Sequence, residues 1–207
     1  DFFEIPGGTF KGNLPVIISN PRRVSFDSTG KRMLLLGDSG ASLWTETSAG
    51  WKEIHSLSEP VVDMALNQSG ERMIALFGEF SEEGEKNLRD RTVVVGWSVE
   101  ESGVTELFRK ELPGYSPGVI AFSNLDDEFV LALKETSTQT TQLEVREAGT
   151  GAVRRVVARR WRAGYPLEPA SIAVSCETKR VAVSYDIMTG SGDEGTVEIL
   201  DLESGEP

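Results

Sequence analysis

Four times along this chain a short apolar strand runs into a polar turn and a second apolar strand follows, and this recurrence constrains the fold more than any other feature. The opening strands are Val24-Ser25-Phe26, Met64-Ala65-Leu66, Ile120-Ala121-Phe122 and Ile172-Ala173-Val174. The turns behind them are Asp27-Ser28-Thr29-Gly30, Asn67-Gln68-Ser69-Gly70, Ser123-Asn124-Leu125-Asp126 and Ser175-Cys176-Glu177-Thr178. Successive strand-closing residues, Phe26, Leu66, Phe122 and Val174, lie 40, 56 and 52 positions apart. A repeat of that length holds one small supersecondary unit, and such a unit hides its apolar flanks only by stacking on its neighbours.

The first complete unit sets the pattern. Runs of β-forming residues bounded by turn residues predict strands over Arg22 to Phe26, Arg32 to Leu36, Ala41 to Thr45 and Trp51 to Ile54. The continuous apolar run Met33-Leu34-Leu35-Leu36 suits a strand covered on both faces. Four-stranded antiparallel sheets covered on both faces by their own repeats are the blades of an all-β propeller, here about four of them. The chain reads as one segment, 1–207, with units at approximately 1–20 (partial), 21–58, 59–113, 114–168 and 169–207. Phe2-Phe3-Glu4-Ile5 before Pro6-Gly7-Gly8 reads as the tail of a preceding unit, and the last unit lacks its outer strand. A ring closes when one terminus supplies the strand missing at the other, which removes exposed edges. The expectation is a segment of a larger ring of roughly six to eight blades, with a ring of four as the alternative.

The last unit makes a family resemblance specific. Gly195-Thr196-Val197-Glu198-Ile199-Leu200-Asp201, ending at Gly205, resembles the third-strand phrase of WD-repeat propellers, with Leu200 where tryptophan would stand. Glu59 to Gly70 resembles the family's apolar strand with its Ser-Pro-Asp-Gly turn. Asp38-Ser39-Gly40-Ala41-Ser42-Leu43-Trp44 and Asp90-Arg91-Thr92-Val93 to Trp97 resemble the third-strand phrase again. The resemblance covers roughly Pro21 to Gly205 and implies a propeller that binds other proteins. The hydrogen-bonded Asp, His, Ser/Thr and Trp of strong repeats are approached only in the second unit, by His55, Asp90 and Trp97. There Met73-Ile74-Ala75-Leu76 offers no hydroxyl, and the third unit keeps only the apolar skeleton.

Composition narrows the partners. A net charge of -12 opposes encounter with nucleic acid or anionic membrane, so a basic or neutral partner is expected. Cys176 is the only cysteine, which excludes an intrachain disulfide and a cysteine-built metal centre. No stretch approaches the roughly 20 apolar residues of a membrane-spanning helix. A cytoplasmic location is the expectation.

The reactive motifs have plainer explanations. Gly37-Asp38-Ser39-Gly40 looks like the nucleophile motif of trypsin-like proteases, but that family's histidine precedes its serine, and here the only histidine, His55, follows Ser39. The repeat explains the motif as a two-glycine turn. His55 alone cannot build a multi-histidine zinc site, and a structural hydrogen bond suits it better. Asp126-Asp127 and Glu82-Glu83 read as solvated turn charge. Asp186, Asp193 and Glu194, in or beside the loop Thr189 to Gly195, match no calcium loop. No cofactor, metal site or catalytic residue is expected.

Two loops stand out. Glu79 to Arg91 is long and charged, and reads most simply as an insertion. Arg154-Arg155 and Arg159-Arg160-Trp161-Arg162, with Tyr165 close behind, read either as a solvated outer strand or as part of an interface, since Arg, Trp and Tyr predominate at interface hot spots. In the resembled family, outer-to-inner and second-to-third connections share one face, which would gather Trp51, His55, Tyr115, Trp161 and Tyr165 there. The candidate partner-binding residues are therefore Trp51, Tyr115, Arg159, Arg160, Trp161, Arg162 and Tyr165. The expected function is a non-catalytic scaffold presenting loops to another protein or another domain. The alternatives are a propeller accompanying or gating a hydrolase and a ligand-binding propeller.

Overall fold

The computed structural model describes residues 2–4, 9–12, 19–78, 91–123, 127–160, 167–175, 177–189 and 192–206. All regular structure among them is β. A small hairpin pairs β1 (Phe2–Glu4) with β2 (Thr9–Gly12). Blade I is the meander β3 (Pro21–Phe26), β4 (Arg32–Gly37), β5 (Gly40–Thr47) and β6 (Gly50–Leu57). Blade II follows as β7 (Val61–Leu66), β8 (Arg72–Gly78), β9 (Arg91–Glu100) and β10 (Gly103–Pro113), and blade III as β11 (Tyr115–Phe122), β12 (Glu128–Glu135), β13 (Thr140–Glu147) and β14 (Val153–Arg160). Blade IV has three strands, β15 (Leu167–Ser175), β16 (Arg180–Thr189) and β17 (Gly192–Asp201). All pairings are antiparallel, and the four blades are arranged as a β-propeller.

Each blade buries one flank against the next, which is why the second strands are apolar on both faces. Leu34, Leu36, Ala41 and Leu43 of blade I meet Val61, Met64, Met73 and Ala75 of blade II. Ala65, Ile74, Leu76 and Val94 then meet Ile120, Phe129, Leu131 and Leu133 of blade III, where Phe108 stacks on Phe129 with ring centroids 6.3 Å apart. Val130, Ala132, Leu143 and Val145 meet Ile172, Val181, Val183 and Leu200 of blade IV. Each fully buried aliphatic side chain contributes about 1.5–3 kcal/mol over its exposed state, so these three seams dominate the stability. Leu200, at the position where tryptophan would stand, lies wholly inside the last seam.

The predicted polar loop after Tyr185 is shorter than the sequence suggests. Strands β16 and β17 continue to the pair Thr189–Gly192, so Asp186 sits opposite Gly195 within the ladder. The run Asp186-Ile187-Met188-Thr189 is a strand extension whose few apolar side chains did not register as a strand.

Candidate functional site

Because every blade winds the same way, the connections sort onto two rims. The lower rim carries the first-to-second turns, and these are tight. Asp27 bonds across its turn, its N–H to the Arg32 carbonyl (3.1 Å) while Arg32 N–H donates to Asp27 Oδ1 (3.1 Å). Asn67 and Arg72 repeat this arrangement at 3.0 and 2.9 Å. Gly30 and Gly70 close the two turns at φ +70° and +77°, a conformation that β-carbon sterics deny most residues. Ser28 N–H donates to the Gln68 carbonyl at 2.7 Å and so ties the two turns together.

The upper rim carries the starts of the inner strands and the ends of the second and outer strands. Beside it, on the propeller axis, lies a cavity of about 530 Å³ lined from all four blades. Arg22, Arg23, Val62, Asp63, Gly118, Val119, Ala170 and Ser171 form most of its wall. Each inner strand is irregular at this level: the ladder register shifts between Pro21 and Arg23, Val61 and Asp63, Ser116 and Val119, and Pro169 and Ser171. A bulge turns the backbone out of the ladder, and Pro21, Pro117 and Pro169 at or beside it supply no N–H to lose. Gly118 is required for its closeness to β12, since a β-carbon there would come within 1.8 Å of the Ala132 carbonyl oxygen.

The charged corner of the cavity is a fastening. The buried Asp63 carboxylate accepts from Arg23 Nη1 of blade I at 2.6 Å, from its neighbour Met64 N–H at 2.8 Å and from Ile120 N–H of blade III at 2.9 Å. One side chain thus links three blades. Arg22 Nη2 donates to the Val61 carbonyl at 2.6 Å, and its Nε lies 3.4 Å from Asp38 Oδ1. The sequence signal for this fastening is the lone carboxylate inside Val61-Val62-Asp63-Met64-Ala65-Leu66, a residue not among the expected site residues. Blade III hides a second polar group: Glu144 Oε2 lies 2.6 Å from Arg146 Nη2, Arg146 Nη1 donates to the Gly151 carbonyl at 2.9 Å, and Gln142 donates to Glu144. The third unit therefore holds more than its apolar skeleton.

The structure separates the residues singled out from sequence. Tyr115 opens β11 on the upper rim, half-buried against the seam between blades II and III, and its carbonyl accepts from Thr92 Oγ1 at 2.7 Å. Trp51 stands on the lower rim instead, because it opens the outer strand just after the third-to-fourth turn. Its ring packs 6.2 Å from Phe26 and against the cluster of Met33, Leu35 and Trp44. The arginine cluster divides along β14. Arg154 at the lower end binds Glu128 (2.7 Å), Asp127 (3.0 Å) and Glu147 (3.3 Å), contacts that raise its pKa further, and Arg155 Nε donates to the Leu202 carbonyl at 3.1 Å. Arg159 and Arg160 end the strand on the upper rim opposite Gln142 and Thr141. Trp161, Arg162 and Tyr165 lie outside the described residues, as do the side chains of Arg159, Arg160, Asp193 and Glu194 and the whole of segment 79–90.

The remaining motifs resolve simply. Gly37–Gly40 is a hairpin turn in which Asp38 accepts from Asn20 Nδ2 at 2.9 Å, and Ser39 Oγ accepts from Ser19 N–H at 3.4 Å. His55 packs its ring 5.9 Å from Trp97, and its buried Nε2 has no hydrogen-bond partner, contrary to the structural bond expected of it. Burial lowers the His55 pKa, with the neighbouring Glu53 charge opposing. Among the described residues, no three His, Cys, Asp or Glu side chains group as metal ligands would.

No family model and no curated protein sequence matches the chain. Solved structures do. The chain is similar to Kuenenia stuttgartiensis hydrazine synthase (TM-score 0.52, 10% identity, 96% of this chain and 68% of that one). It is similar to TolB from Acinetobacter baumannii (TM-score 0.55, 13% identity, 90% and 42%) and to the tricorn protease (TM-score 0.55, 12% identity, 96% and 18%). At these identities the likeness is one of fold, and TolB and tricorn are propeller proteins. The chain spans less than half of either.

Proposed function

We propose that this propeller is a non-catalytic interaction module, a divergent relative of WD-repeat propellers, whose upper rim receives a partner protein or another domain around the axial cavity. The observation that supports this reading is the coincidence of two features on one rim: the cavity lined from all four blades and the end of β14 at Arg159 and Arg160. A concave site ringed by side chains mounted on a rigid sheet scaffold is the usual form of a recognition face. The charged groups in the cavity wall favour a structural role for themselves, because Asp63 and Arg23 spend their hydrogen bonds on each other and on the backbones of blades II and III.

The test is affinity capture from the source organism with two variants. Replacing Arg159 and Arg160 together changes the upper rim. Exchanging the exposed lower-rim charges, Lys31→Glu with Glu71→Lys, changes the other. Partners lost by the first variant and kept by the second support the reading; full retention by the first overturns it. A second reading, a propeller accompanying a hydrolase, draws on the likeness to the tricorn protease, and co-purifying peptidase activity would favour it.

A further inference from the structure

At the axial cavity the inner strands of all four blades bulge at the same level, and each bulge sets two neighbouring residues in the wall. The first of each pair is Arg22, Val62, Gly118 or Ala170, and the second is Arg23, Asp63, Val119 or Ser171. Both positive charges therefore fall side by side on blade I, and the single carboxylate falls on blade II. Bulges re-aim side chains, and they are common beside functional sites. The polar groups of this wall are unevenly spent. Asp63 accepts from Arg23, Met64 and Ile120, which leaves the wall little acceptor capacity for a ligand. The two guanidinium groups keep donors in reserve. Arg23 uses only Nη1, on the Asp63 carboxylate and the Met64 carbonyl, while Arg22 uses Nη2 on the Val61 carbonyl and holds Nε 3.4 Å from Asp38 Oδ1. Among the described residues nothing pairs with Nε or Nη2 of Arg23, with Nη1 of Arg22 or with the Ser171 hydroxyl. The arginine side chains are 44% and 35% exposed, so a ligand can reach them.

We propose that the axial cavity binds a carboxylate carried on an apolar stem. In a guanidinium, Nε–H and one Nη2–H lie parallel along one edge and match the two oxygens of a carboxylate, and this is the edge that Arg23 leaves unspent. Arg22 Nη1 and the Ser171 hydroxyl add donors on either side. The rest of the wall, Leu36, Val62, Val119, Pro169 and Ile172, is apolar and receives the stem. A volume of about 530 Å³ suits a small organic molecule or the end of a peptide. The net charge of -12 does not decide the sign of the ligand, because exposed charges beyond roughly 8 Å are largely screened at physiological salt. It bears on encounter, and the local donors bear on what is held. This inference rests on the upper rim being the recognition face and names the group that the face holds.

Titration of the isotope-labelled chain with isocaproate, and with its neutral isostere isocaproamide, tests this through the backbone amide resonances. Isocaproate is expected to shift the amides of Val62, Gly118 and Ala170 saturably, and isocaproamide to bind about tenfold more weakly. Arg22→Gln and Arg23→Lys should each weaken isocaproate by about tenfold and leave isocaproamide unchanged. Arg23→Lys keeps a cation for Asp63, and thermal midpoints show whether each variant is folded. Equal affinity for the two probes, no saturable shift with isocaproate, or unchanged binding by folded Arg22→Gln overturns the proposal. Two further probes assign the source: the peptide Ala-Ala-Ala-Leu with a free carboxyl end, and acetyl-Ala-Glu-Leu-Ala with an amidated end. Binding of the first supports the site and assigns it to a chain end, and binding of the second supports it and assigns it to an acidic side chain. Binding of isocaproate alone supports it as a site for a small organic acid. The titration needs no partner, so a cavity that binds no carboxylate fails by itself, while partners lost on replacing Arg159 and Arg160 would still uphold the rim.

Discussion

Blades II and IV are built from the same repeat, yet one is covered on both flanks and the other on one. In blade II the second strand Met73-Ile74-Ala75-Leu76-Phe77 is apolar at every position and buried at every position. In blade IV the corresponding Val181-Ala182-Val183-Ser184-Tyr185 alternates, with Val181, Val183 and Tyr185 buried against blade III and Ala182 and Ser184 only partly covered. A strand enclosed between two blades is apolar at every position, whereas one buried on a single face keeps the period of two.

The contrast is sharpest under truncation. Ile74→Ala removes a side chain enclosed between blades II and III and should destabilise the fold by about 2–5 kcal/mol. Ile199→Ala, on the free flank of blade IV, should change the stability of the dilute chain by less than about 0.5 kcal/mol. Urea midpoints of the two variants measure the difference. Equal losses would mean that blade IV is covered on both sides.

The inner strands sharpen the comparison next. Blade II carries the carboxylate that fastens its neighbours, and blade IV carries Ser171 at the equivalent position. Asp63→Ala takes the carboxylate from Arg23, which keeps its 3.4 Å bond to the Met64 carbonyl, and leaves the Ile120 amide without an acceptor; it should cost about 2–3 kcal/mol, with the half-open Arg23 keeping the loss below that of a fully buried pair. Ser171→Ala should be close to neutral, because Ser171 is exposed. Thermal unfolding distinguishes them, and a neutral Asp63→Ala would remove the fastening role.

A smaller effect lies where blade II gives up a residue that its neighbours keep. Leu43, Val145 and Ile199 occupy one ladder position, and blade II has Gly96 there. A β-carbon at Gly96 would fall 2.2 Å from the Phe108 ring, which fills that space from the outer strand. Gly96→Ala should cost about 1–3 kcal/mol by overpacking. Adding Phe108→Leu should recover part of that loss, so the pair should be non-additive in a double-mutant cycle.

Much of this architecture was legible because the turn phrases recur at blade spacing and the apolar runs mark buried second strands. The four strands of blade I fall within a few residues of their predicted places. Functional detail was less legible for a physical reason. Trp51 was placed on the wrong rim because assigning a rim requires counting strand direction, and an outer strand's first residue lies opposite its last. Arg154 and Arg155 were grouped with Arg159 and Arg160 because sequence distance ignores the length of β14, whose two ends belong to different rims. Asp63 was missed because its partners, Arg23 and Ile120, lie 40 and 57 residues away. Short-range pattern cannot show which carboxylate bridges three blades.

The smallest expected effect separates the seam between blades I and II from every other. It holds the chain's only histidine, His55, packed on Trp97 with Nε2 enclosed and unpartnered. Burial holds its pKa below the ordinary 6.5, and the Glu53 charge only partly opposes this. Below about pH 6.5 the unfolded chain takes up a proton that the folded chain refuses. Stability should therefore be fully present above that value, decline as pH falls through it, and level off once pH passes the folded pKa. The lowered carboxylates of Glu147 and Asp201 act below their ordinary 4.5 and 3.8, in a separate acid window. Denaturant midpoints between about pH 7.5 and 5.5 should fall for the native chain and stay flat for His55→Phe. Hydrogen exchange across the decline should open β6 and β9 before β12 and β16, because the seam between blades III and IV contains no group that titrates as histidine does. A slope that survives His55→Phe would mean that the decline originates elsewhere in the molecule.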